Sequence, residues 1–171
     1  MALPTISRRK ADRAGQVEAV FSAHYFEFQY RFVDFFVEHL EDLSRVFKGD
    51  LQLMLVLAVV GQVKIRIVHD AVMAGASASE AVLLKSGITA SQIAEIISVP
   101  RQTVRRKLAR LRELGWVEQN TDQTWSILPE GDTTSVRLAL ADADRRAIAR
   151  VADLFVSLEG LVAAKSEGCS E

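Results

Sequence analysis

The sequence predicts a mainly α-helical protein in which short helices and one small β-hairpin form a central domain, flanked by long N- and C-terminal helices. Three observations predict it. Residues 89–114 carry two helix signatures parted by a proline and ended by a glycine. Residues 116–127 carry two short aromatic and β-branched runs around a polar turn, and apolar residues recur at helical spacing over 17–47 and from 142 onward.

The first fifteen residues hold Arg8, Arg9, Lys10 and Arg13 with little apolar content, and 1–15 read as a flexible basic arm. No apolar h-region follows, which argues against a secretory signal. From Val17 to Phe47 the chain reads as helical and holds nine of its twelve aromatics: Phe21, Tyr25, Phe26, Phe28, Tyr30, Phe32, Phe35, Phe36 and Phe47. They fall on more than one face, so a single neighbouring helix leaves some uncovered, and 16–48 is expected to be a dimerisation segment. His24 and His39 have no companion ligands at metal-like spacing. Glu38, Glu41 and Asp42 read as solvated charge.

Lys48-Gly49-Asp50 is a break, with Asp50 capping the next helix. Leu53 to Val60 is apolar without interruption, and Gln62, Lys64, Arg66, His69 and Asp70 then restore amphipathic character, so the segment reads as a buried helix. Eight consecutive apolar residues fall short of the roughly twenty that cross a bilayer, and no membrane association is expected. Ala74-Gly75-Ala76 is turn-like. Ser77 with Glu80 forms a capping box ahead of Ala81 to Leu84, and Gly87 is expected to stop an extra helix of about two turns near 78–86.

Thr89 followed by Gln92 is a second capping box, placed before Ile93, Ala94 and Ile97. That helix is expected to end near Ser98 and Val99, because Pro100 disfavours helical geometry in the residue before it and suits the first turn of the next helix. In the second helix Val104, Leu108 and Leu111 form one stripe. The opposite face then carries Gln102, Arg106, Ala109 and Arg110, with Arg101 and Arg105 on one flank and Thr103 and Lys107 on the other. Arginine bonds both acceptors of a guanine edge, glutamine does the same for adenine, and small Ala109 lets the backbone approach a major groove closely. Residues 101–114 hold six Lys or Arg against one acid, while the whole chain is at −1. Gly115 stops the helix, Trp116-Val117-Glu118 reads as a strand, Asn120 to Thr124 as a turn, and Trp125 and Ile127 as the returning strand.

This order of helix, corner, basic helix, glycine and hairpin resembles the winged helix-turn-helix of bacterial transcriptional regulators, in particular the MarR-like branch. The resemblance covers about forty residues, Thr89 to Ile127, strongly and the flanks in outline. It implies a winged-helix DNA-binding domain over 49–131 whose partner is double-stranded DNA, with 100–114 as the recognition helix. Arg101, Gln102, Arg105 and Arg106 match its base-reading or phosphate positions, Ser91 and Gln92 match positions near the phosphate backbone, and Thr103 and Arg110 complete the expected set. It also implies a small-molecule effector pocket where the aromatic helix meets the DNA-binding part. Ser98 stands where the family usually places glycine. The wing tip Asn120-Thr121-Asp122-Gln123 departs further, with an acid and no arginine where such wings carry arginine into the minor groove.

After a turn at Pro129 to Asp132, the stretch to Leu140 is ambiguous between strand and helix. Ile148, Val151, Phe155, Leu158 and Val162 follow a coiled-coil-like 3,4,3,4 spacing widened by Leu154 and Leu161, so 132–171 is expected to be a C-terminal dimerisation helix and tail. The single cysteine, Cys169, permits no intrachain disulfide, fits a cytoplasmic location and reads as a tail bystander rather than a redox sensor. No phosphate loop, Cys-x-x-Cys, His pair or nucleophile motif is present, so neither an enzyme nor a cofactor is expected. The expected function is a homodimeric, sequence-specific DNA-binding regulator, commonly a repressor. The competing reading is a winged-helix module that binds another protein, its acidic wing contacting something basic.

Overall fold

The structure, a computed structural model, describes residues 4–82, 84–128 and 135–167. Along them run α1 (Pro4–Ala23), α2 (Tyr25–Phe47), α3 (Leu51–Met73), α4 (Ala78–Val82), α5 (Ala90–Ile97), α6 (Arg101–Glu113), β1 (Val117–Gln119), β2 (Trp125–Ile127) and α7 (Ser135–Glu167). The fold is mainly helical with a two-stranded antiparallel hairpin, as a winged helix requires. The chain divides into two compact units, Met1–Asp42 with Ala143–Glu171, and Leu43–Asp142. The turn read at Pro129 to Asp132 and the tail cysteine Cys169 lie outside the described residues.

In the second unit α3 supplies the floor. Asp50 caps it, its carboxylate accepting from the Leu53 N–H at 3.0 Å. Leu53, Val56, Leu57, Val59 and Val60 are buried in one cluster with Ile93 of α5, Val104, Leu108 and Leu111 of α6, and Val117 and Trp125 of the hairpin. By length and composition the 23-residue α3 is apolar enough to cross a bilayer, because its apolar character runs past Val60. Its buried residues are nonetheless core residues of this unit.

The extra helix is shorter than expected. α4 has five residues, although the Ser77–Glu80 capping box is formed, with Ser77 N–H donating to Glu80 Oε2 at 3.0 Å and Glu80 N–H to Ser77 Oγ at 3.3 Å. What closes it is a lysine. Lys64 Nζ of α3 donates to the carbonyls of Val82 and Leu84 at 2.6 and 2.7 Å, taking up acceptors that a longer helix would have bonded internally. Gly87 therefore does not stop α4, which has already ended. A Cβ there would stand 2.2 Å from Thr124 Oγ1 and 2.7 Å from Thr124 Cβ, so the position must be glycine for the hairpin to pass beside it. Beside that contact, Ile88 and Trp125 exchange backbone hydrogen bonds of 3.1 and 2.8 Å and tie the hairpin to the loop before α5.

The first unit differs from the sequence reading at its start, where the expected flexible arm is helical from Pro4. Proline suits a first turn, and the basic residues and alanines that follow are good helix formers. α2 and α7 run antiparallel, joined by Arg31 Nε to Ser157 Oγ at 2.7 Å, Glu38 to Arg150 at 2.7 Å and Asp42 to Arg146 at 2.9 Å. Arg150 also bonds Asp42. Asp42 is thus a buried, paired carboxylate and not solvated charge. Hydrogen bonds from Arg146 and then Arg150 lower its pKa to about 2. The aromatics stack along one line, Phe21–Phe28–Phe32–Phe36, at centroid spacings of 4.9, 5.6 and 5.9 Å. Others remain uncovered, with Phe26 84% and Tyr30 74% exposed. The expected C-terminal seam divides: Ile148, Val151 and Phe155 are exposed, whereas Leu161 and Val162 are buried.

Candidate nucleic-acid interface

Two helices present the site. α5 begins at a complete capping box, in which Thr89 Oγ1 accepts from Gln92 N–H at 3.2 Å and Gln92 Oε1 accepts from Thr89 N–H at 3.0 Å. It ends at Ser98, whose φ of +53° shows why glycine would be at ease there. Pro100 then caps α6 with an extended backbone. Val104, Leu108 and Leu111, all fully buried, fix the rotation of α6 and so decide which of its residues face outward.

Arg101, Gln102, Arg105, Arg106 and Arg110 are exposed, and Thr103 is half-buried. At the start of α5, Ser91 is half-buried and Gln92 exposed, the Gln92 carbonyl oxygen being engaged in the cap. The cations of α6 are not equivalent. Lys107 is pinned to Asp50 at 2.6 Å with its side chain only 14% exposed, so it fastens α6 to the start of α3. Burial would raise the Asp50 carboxyl, yet hydrogen bonds from Lys107 and the Leu53 N–H, with the nearby charges of Lys107 and Arg106, hold it below its usual value. Arg110 pairs with Glu113 at 2.8 Å on the surface.

The helix ends in a Schellman motif. Trp116 N–H donates to Leu111 O at 3.0 Å and Gly115 N–H to Arg112 O at 2.9 Å, with Gly115 at φ +70°. The strands then pair in the register Val117–Ile127, Glu118–Ser126 and Gln119–Trp125. Asp122, the acid of the tip, is occupied within its own turn. Its carboxylate accepts from Thr124 Oγ1 at 2.6 Å and Thr124 N–H at 3.1 Å, and these bonds lower its pKa. It shapes the hairpin and remains exposed.

Between α6 and the hairpin lies an open cleft of about 530 Å³. Ser91, Arg101, Arg105, Arg112, Gln119 and Gln123 line it, over the buried ring of Trp125. Sequence reasoning missed Arg112, Gln119 and Gln123. A signal for Arg112 was available, since it follows Arg101 by eleven residues, close to three helical turns, and so returns to the Arg101–Arg105 stripe. Its guanidinium lies 6.0 Å from the Trp125 ring centroid. Nothing local in the sequence marks the glutamines, because only the hairpin's pairing brings them to that side. Among the described residues no group of three or more His, Cys, Asp or Glu is arranged to hold a metal ion.

The exposed guanidiniums of α6 can neutralise phosphates, and Gln102 and Arg106 on its outer face can bond base edges. Residues 81–124 match the family model described as MarR family, which spans α5, α6, β1 and the hairpin turn and stops before β2. No curated protein and no solved structure matches the chain.

Proposed function

We propose, from the MarR-family winged helix over residues 81–124, that the protein is a sequence-specific DNA-binding transcriptional regulator that acts as a homodimer and represses by occluding a promoter. One observation carries this reading. The buried stripe of α6 turns Gln102, Arg106 and Arg110 outward together, on a helix whose other face is locked to the core and whose flank is locked to Asp50. A rigid helix presenting arginine and glutamine side by side is what base readout in a major groove needs. α6 enters the major groove, Gln102 and Arg106 read bases, and Ser91 and Gln92 at the start of α5 lie along the backbone. The uncovered aromatics of α2 and the exposed Ile148, Val151 and Phe155 of α7 support pairing of the terminal helices between two copies. In a DNA-bound dimer the two recognition helices stand about 34 Å apart, one DNA turn, and a ligand or partner that alters the spacing regulates binding.

The competing reading is a protein-binding module. Salt dependence separates the two. Binding of the purified protein to random-sequence duplex DNA is expected to weaken by about 10³- to 10⁵-fold between 50 and 200 mM salt, as for proteins making about six to ten phosphate contacts. Absence of DNA binding at the lower salt overturns the proposal in favour of the protein-binding module.

A further inference from the structure

The charges of α6 are answered unevenly. Lys107 is paired with Asp50, Arg106 lies close enough to Asp50 to help lower its pKa, and Arg110 is paired with Glu113. Arg101, Arg105 and Arg112 have no carboxylate partner among the described residues, and these three line the same cleft against the hairpin. Helical geometry explains the coincidence. At 100° per residue they fall within about 40° of one another, along roughly 16 Å of helix. Three guanidiniums on one wall of a cleft repel each other unless an anion fills it, and their spread along the helix suits a chain of anions better than a single one.

The opposite wall offers neutral donors. Gln123 holds a left-handed backbone, φ +66°, a conformation in which a side chain is disfavoured and glycine is at ease. Its carbonyl oxygen accepts from Gln119 Nε2 at 3.0 Å, which leaves the Gln123 NH2 to donate elsewhere. A strained position that keeps a long polar side chain, aimed at the cleft that three arginines line from the other side, points to a ligand held between the walls.

We propose that this cleft grips successive phosphates of one DNA strand, with Arg101, Arg105 and Arg112 on one wall and Gln123, positioned by Gln119, on the other. The inference rests on the DNA-binding reading and deepens it in two ways. Arg105 contacts the backbone and does not read a base, and the hairpin engages DNA through Gln123, the last residue of its tip, on a phosphate and not by insertion into the minor groove. That resolves the missing arginine of Asn120-Thr121-Asp122-Gln123.

The test is the affinity of the full chain for a random-sequence duplex, measured against salt, for the wild type and four variants. R105A and R112A are each expected to reduce the slope of log affinity on log salt by about 1, and R112K to restore it. Q123G is expected to leave the slope unchanged, to weaken binding about two- to tenfold by loss of a hydrogen bond, and to raise the thermal midpoint by relieving the left-handed strain. Wild-type slopes retained in R105A and R112A, in variants that melt normally, overturn the clamp while leaving DNA binding intact. A Q123G protein that binds as tightly as the wild type removes the hairpin wall. A wild type that binds no duplex at low salt overturns the DNA-binding reading itself.

Discussion

Arg106 and Gly87 show what a single position can and cannot announce. Arg106 was legible as an outward cation because Val104, Leu108 and Leu111 fix the helix phase. Its replacement by alanine is expected to cost about 1 to 3 kcal/mol in binding to the selected operator and little on unrelated duplexes, as competition titrations would reveal. Equal losses on both would make it a phosphate contact. Gly87 was legible only as a glycine near a helix end, since the residue that demands it, Thr124, is distant in sequence and reaches it only once the hairpin has formed. Gly87→Ala forces the Thr124 Cβ away and is expected to reduce the unfolding free energy by about 1 to 3 kcal/mol in urea titration. An unchanged midpoint would mean that the hairpin shifts aside at no cost. Gln123 was opaque for the same reason, because its backbone angle and its Gln119 contact depend on the hairpin having formed.

For whole elements, local signals were reliable where the sequence supplied both cap and stop. The Thr89–Gln92 box, the corner at Ser98 and Pro100, and the Gly115 Schellman turn all lie within a few residues of the structure they specify. α4 fell short of its expected length because its terminator is Lys64, which reaches in from another helix. The basic N-terminal stretch became helix where charge alone suggested an arm, since arginine, lysine and alanine carry helix propensity as well as charge. The antiparallel α2–α7 pair is the plainest case of a partner that spacing cannot reveal, as Asp42 meets arginines more than a hundred residues away. Its pKa of about 2, below the usual 3.8, has a definite sign. A depressed carboxylate stabilises the fold above its unfolded pKa, and that stabilisation disappears as pH falls through the folded value. Helix content and thermal midpoint are therefore expected to fall between about pH 4 and 2, and the Asp42→Asn variant is expected to start from a lower midpoint and lose less across that window. Parallel acid profiles for the two proteins would show that the pair contributes no net stability.

Across the whole molecule, the class of fold was legible and the partition of the chain was not. The division falls after Asp42 and after Asp142, inside α2 and α7, where no break in composition marks it. The terminal helices leave Phe26, Tyr30, Val33 and Val37 exposed at spacings of 4, 3 and 4, a seam suited to another helix. Because Phe26 is exposed in the protomer, Phe26→Glu is expected to leave its helix content and melting intact while converting a dimer to a monomer in sedimentation velocity. A wild-type monomer at micromolar concentration would contradict the pairing of terminal helices.

Two copies of α6 reading sequence together would leave their signature in DNA selected from a random duplex pool by the purified protein at two salt concentrations and then sequenced. The expected result is a two-fold symmetric motif whose half-sites lie about ten base pairs apart, sharpened at the higher salt as backbone binding weakens. Retention of DNA without any enriched motif, or enrichment of a single isolated half-site, would contradict it.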